Sequence, residues 1–224
     1  MEIQGSCDNK FLEVKEMFES LHSSGREVGS SFAMYKDGKA LIDIWGGYTD
    51  KQKTNPWSRN SLATVWSTTK GVAALTCAIA VEKGLLDYEE KVSHYWPEFG
   101  CNGKEDITIG MLLSHQAGIC GSTTNNVHDY YNQQIMSEEL AAMSPIWKPG
   151  TASGYHSMTY GWLTSELIIR VTGKTLGTFY ADEIGNPNDI DFFIGLPESE
   201  ENRVVEMIPF PKEENRSQVS TEIN

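Results

Sequence analysis

The chain has 224 residues, 39% apolar and 22% charged, and a formal net charge of -13. That length accommodates one sizeable domain or two small ones. The charge leaves no basic stripe to hold phosphates, which disfavours nucleic acid as a partner.

The N-terminal Met1-Glu2-Ile3-Gln4-Gly5-Ser6 has neither the basic nor the apolar segment of a secretory signal. The longest nearly apolar run, 72–81, is too short to cross a bilayer and reads as a buried helix. Cys7, Cys77, Cys101 and Cys120 lack C-x-x-C or metal-ligand spacing, so a reduced, cytoplasmic setting is expected, with a Cys101–Cys120 bridge as the alternative. The five histidines are scattered and form no metal motif; no metal or other cofactor is expected.

In chain order, residues 10–24 place Phe11, Val14, Phe18 and Leu21 at helical spacing, and Gly25 closes the segment. Two apolar runs, 30–35 and 39–45, meet at Lys36-Asp37-Gly38, a hairpin signal because glycine tolerates the positive φ of a tight turn. Residues 49–59 are polar and read as a loop. The alanine-rich run 72–81 is apolar on nearly every face and predicts a central, closely packed helix ended by Gly84. Asp87 and Glu90 resemble a capping box for a short helix stopping before Pro97, and Thr108 can cap 109–114. Pro149-Gly150 makes a turn; helices are predicted over 157–171, ended by Gly173, and over 175–184. Residues 212–224 read as disordered. A two-stranded hairpin is marginal by itself. Only 191–194 and 203–208 offer weak further strands, so the sheet reads as unfinished.

The chemistry centres on Ser67-Thr68-Thr69-Lys70. The i, i+3 spacing puts hydroxyl and amine on one helix face, one turn apart. A lysine in the first helical turn meets the positive end of the macrodipole, and burial penalises its charge, so both effects favour the neutral amine that a general base needs. The Ser67 N–H at the helix start can face a developing oxyanion. The motif alone is weak: 20 serines and 13 lysines among 224 residues make about one chance S-x-x-K, and Ser67 could simply cap the helix.

Its surroundings are more specific. Val65-Trp66-Ser67-Thr68-Thr69-Lys70-Gly71, the run from Ile107 through Leu112-Leu113-Ser114-His115-Gln116-Ala117-Gly118-Ile119, Trp147-Lys148-Pro149-Gly150, and Tyr155-His156-Ser157 with Tyr160-Gly161-Trp162-Leu163 stand in matching order. Together they resemble the serine β-lactamase family, which includes penicillin-binding proteins, D-stereospecific peptidases and β-lactamase-like esterases; S-x-x-K is among that family's marks. The resemblance covers roughly residues 10–210. It implies Ser67 as nucleophile, Lys70 as base and Tyr155 as catalytic tyrosine, a phenol that can be partly deprotonated or relay a proton. His115, at a helix end, is expected to be structural. His156 is left open as a pocket-rim residue, and Glu166 has no motif support as a base.

Two departures from the family pattern matter. Ser157 stands where β-lactamases and penicillin-binding proteins carry an asparagine that holds the acylamino side chain, so simple esters are favoured over lactams. The family's late K-T-G or H-T-G strand is absent; Lys174-Thr175-Leu176 imitates it poorly and stands too soon after Tyr155. The expectation is a fragment, an isoform, or loss of the C-terminal strands.

The expected fold is α/β (α+β), β-lactamase/transpeptidase-like, with helix and hairpin in 1–60, a helical subdomain in 61–190, and a return segment with polar tail in 191–224. The expected function is a serine hydrolase that forms an acyl-enzyme on a small-molecule ester or amide, without a membrane segment and compatible with a homo-oligomer. A catalytically inactive assembly protein of the same fold is the alternative. An unrelated helical binding module would require all four segments to be coincidence.

Overall fold

The computed structural model describes residues 2–209. Within them two compact units are present: Val65–Pro197, and residues 2–64 with 198–209. The expected disorder over 212–224 lies outside the described residues.

In the first unit β1 (Gln4–Cys7) precedes α1 (Leu12–Ser23), β2 (Gly29–Lys36) and β3 (Lys39–Gly47). The β2–β3 hairpin forms as expected, with Asp37 and Gly38 both at positive φ. The expectation of no convincing third strand is corrected: β1 pairs antiparallel with β3, giving the order β1-β3-β2. Gly5, opposite Ile44, makes this possible. It sits at φ +96, and a Cβ there would lie 2.0 Å from the Asp43 carbonyl oxygen. Alternation along β3 buries Ile42 and Ile44 in one small core with Phe18 of α1. The weak strand over 203–208 reduces to one parallel bridge, Leu62 to Val204, and 191–194 forms no strand.

The second unit is helical: α2 (Thr68–Glu82), α3 (Val92–Tyr95), α4 (Ile109–Leu113), α5 (Gln133–Ala142), α6 (Thr159–Thr172) and α7 (Leu176–Tyr180). Its core joins Ala73, Cys77 and Ala80 of α2, Leu112 of α4, Leu140 of α5, Leu163 and Leu167 of α6, and Phe179 of α7. Emptying one of these leucines to alanine costs about 2–5 kcal/mol. Helix α2 is packed in the core as expected, but along one stripe rather than on nearly every face. Its buried residues, Ala73, Thr76, Cys77 and Ala80, follow the i, i+3, i+4, i+7 stripe, while Leu75 is 49% exposed.

Thr108 caps α4 by accepting from the Met111 N–H, and Gly173 ends α6 in the left-handed conformation. The capping box at Asp87 is corrected: its carboxylate accepts the Glu89 N–H in a turn, and α3 begins only at Val92, after Lys91. Helix α5 was not anticipated. Asn132 caps it by accepting from the Ile135 N–H, and Met136 and Leu140 bury one face. The alternative Cys101–Cys120 bridge is not formed: all four cysteines are free, and the Cys101 thiol donates to the Ala141 carbonyl.

Candidate active site

Ser67 occupies the turn that opens α2. Trp66 before it is held at φ 48, a left-handed conformation costly for a bulky side chain, and is 71% exposed. Hydrogen bonds from the Thr68, Thr69 and Lys70 N–H groups to the Val65, Trp66 and Ser67 carbonyls tighten this turn. Ser67 occupies the N-cap position, yet its hydroxyl makes no capping bond. It instead accepts from Lys70 Nζ at 3.1 Å. The simple reading of Ser67 as a helix cap is thereby disfavoured, because the oxygen is directed to the amine rather than the helix backbone. Among the described residues no acceptor takes the Ser67 N–H.

Lys70 Nζ also donates to the Ser157 carbonyl at 2.7 Å. This main-chain contact, which side-chain reading could not reveal, fixes the amine from the segment leading into α6. The same Nζ lies 4.9 Å from the centre of the Tyr155 ring. Tyr155 is 54% exposed. The Ser67 hydroxyl, hydrogen-bonding to its oxygen, and then Lys70 hold the phenol below its ordinary pKa. Ser67, Lys70 and Tyr155, far apart in sequence, therefore meet in one cluster within the second unit. A hydroxyl, an amine and an acidified phenol in mutual contact can pass a proton among themselves.

His115 stands behind Tyr155, with ring centres 5.2 Å apart. Burial and then the Lys70 charge lower its pKa. His156 is fully buried rather than at a rim. Its Nδ1 contacts the Gly154 carbonyl at 2.8 Å and its Nε2 has no partner among the described residues. Glu166 is remote from the cluster, accepting from Ser137 and Arg170. Thr175 caps α7 and Lys174 pairs with Asp182, so Lys174-Thr175-Leu176 serves helix structure. Sequence reading placed Trp147 in the segment before Tyr155 but not its contact: its ring packs on Gly154, where a Cβ would lie 2.3 Å from it. Among the described residues no group of three or more acidic, histidine or cysteine side chains could hold a metal.

A small antiparallel sheet with a helical unit that carries S-x-x-K at a helix start is a β-lactamase/transpeptidase-like fold. The chain belongs to the Beta-lactamase family, whose profile matches residues 14–220. It is 37% identical over 206 residues to the esterase/beta-lactamase LipL of Mycobacterium tuberculosis, covering 91% of this chain and 48% of LipL. A family VIII carboxylesterase structure superposes with a TM-score of 0.87 at 42% identity, covering 93% of this chain and 58% of that one. A penicillin-binding protein homologue from Caulobacter crescentus gives 0.88 at 38% identity, covering 93% and 57%. The chain thus spans about half the length of the relatives it matches. No helix among the described residues is long and apolar enough to cross a membrane.

Proposed function

We propose that the protein is a serine hydrolase that cleaves small carboxylic esters through an acyl-enzyme on Ser67. The observation that carries this reading is the Lys70 amine 3.1 Å from the Ser67 oxygen. Lys70 keeps an N–H on the Ser157 carbonyl and its amine nitrogen takes the Ser67 proton. The serine oxygen then attacks the ester carbonyl, and the new oxyanion faces the Ser67 N–H. Collapse breaks the bond to the leaving alkoxide, which takes a proton through Tyr155. In the second half water attacks the acyl carbonyl, its proton follows the same route in reverse, and Ser67 is released with the carboxylic acid.

The ester preference rests on Ser157 and accords with the esterase names among the relatives. A short hydroxyl cannot reproduce the two amide donors and carbonyl of an asparagine. A cytoplasmic setting belongs to the same proposal, supported by four free thiols, as does self-association through the outer edge of β2, where Phe32 and Tyr35 are exposed. The test compares kcat/KM for short-chain aryl esters and benzylpenicillin. Esters should be preferred, and Lys70→Ala should slow acylation by orders of magnitude. A higher value for benzylpenicillin would remove the esterase preference, and unimpaired acylation by Lys70→Ala would remove the base.

A further inference from the structure

The loop that carries Tyr155 is tied on both sides to one residue. The Gly154 N–H donates to the His115 carbonyl at 3.1 Å, and the His156 N–H donates to His115 Nδ1 at 3.2 Å. These are the residues immediately before and after Tyr155. The His115 ring also lies against the rings of Tyr155, His156 and Tyr160, with centres 5.2, 5.2 and 4.9 Å apart. His115 itself sits at φ 65, in the left-handed region just after α4, a conformation that carries its carbonyl and its ring toward the same strip of chain.

We propose that His115 is a positioning residue for Tyr155, clamping the loop at Gly154 and His156 and so setting the phenol beside Ser67 and Lys70. Accepting at Nδ1 requires that nitrogen to be unprotonated, which places the ring proton on Nε2. The titratable groups facing the ring are Lys70 from α2, Tyr155 and His156 from the loop, and Tyr160 from α6. Burial and the Lys70 charge both act against the doubly protonated ring, so the acceptor persists at neutral pH. A protonated Nδ1 would turn acceptor into donor and release the His156 N–H.

The inference rests on Tyr155 carrying protons for Ser67, and the test separates the two. Asparagine places a carbonyl oxygen where Nδ1 stands and tolerates the left-handed conformation. Glutamine places its carbonyl one bond further out, and alanine offers none. Rates of Ser67 labelling by a fluorophosphonate at pH 7 are measured for each variant, with thermal melts alongside. His115→Ala and His115→Gln should label about 10²-fold slower, the cost of a misplacement near 1 Å, whereas His115→Asn should stay close to the parent. In a Tyr155→Phe background, His115→Ala should add no further loss, because both act through one phenol. Long-range proton–nitrogen NMR, which needs no turnover, should show His115 as the Nε2–H tautomer, assigned by its loss in His115→Asn. An Nδ1–H tautomer, or His115→Asn as slow as His115→Ala, overturns the clamp. A slow Tyr155→Phe whose loss multiplies with that of His115→Ala overturns the inference alone. A parent-like rate for Tyr155→Phe overturns the role of Tyr155 and the inference with it.

Discussion

Replacing Gly154 by alanine tests how closely the Tyr155 loop is fitted to its support. An added Cβ would lie 2.3 Å from Trp147 Cη2, 2.9 Å from Cζ3 and 3.2 Å from Cζ2. Carbon atoms rest about 3.5–4.0 Å apart, so the shortfall at the nearest atom is about 1.2 Å. The backbone flanking Trp147 is fastened to the segment after α4, by Ile146 N–H to the Gly118 carbonyl and Gly150 N–H to the Gln116 carbonyl. The loop at 154–156 is itself tied to His115, through the Gly154 and His156 N–H groups, so the displacement is shared between those ties and the Trp147 ring. Overpacking of this kind costs about 1–3 kcal/mol, or roughly 2–4 °C of Tm per kcal/mol in a chain of this size. The effect on chemistry should be larger, since a shift near 1 Å at Tyr155 costs about 10²-fold in rate. Thermal circular dichroism and fluorophosphonate labelling read the two effects separately. Adding Trp147→Phe, which removes the outer ring atoms, should restore much of the labelling. Parent-like labelling and Tm in Gly154→Ala would refute the reasoning, because the loop would then have slack that the contact denies.

Two further outcomes follow from buried groups. Burial pushes the Cys77 thiol up to about 12, and the thiolate is the reactive form, so iodoacetamide at pH 7 should spare Cys77 in the native protein and modify it after denaturation. Native alkylation at the rate of Cys101 would contradict this. Burial acts to raise the Glu139 carboxyl, but the Thr123 N–H and hydroxyl, the Ser122 hydroxyl and the Thr124 N–H outweigh it and hold the group below its ordinary range. Its stabilisation is therefore present above the unfolded value of about 4.3 and lost as pH falls through the lower folded value. Glu139→Gln should cost about 1–3 kcal/mol at pH 7, and urea melts should show the gap holding down to about the unfolded value and narrowing only below it. A gap that stayed constant would show the carboxylate's charge to be irrelevant.

The elements legible in the sequence were those whose signal is local. Asp37-Gly38 specified the hairpin through backbone φ, Thr108 and Gly173 marked helix ends, and Ser67 and Lys70 met because i, i+3 spacing on a helix leaves them little choice. What escaped depends on a distant partner. Gln4-Gly5-Ser6-Cys7 has no apolar alternation and becomes a strand because β3 offers it an edge. Helix α5 mixes Gln133, Gln134, Glu138 and Glu139 with Met136 and Leu140, too sparse a stripe to read before its packing against α6 is known. His156 stands beside an exposed tyrosine but turns its ring into the interior. The Ser157 contribution is a main-chain carbonyl, which residue identity does not encode.

The central claim is that Ser67 becomes acylated, and the most direct measurement is the site of a covalent adduct. The protein is treated with a fluorophosphonate, digested, and its peptides are mapped by mass spectrometry. The account predicts a single phosphonylated residue, Ser67, with labelling abolished in Ser67→Ala. An adduct elsewhere, or labelling that survives Ser67→Ala, would contradict it.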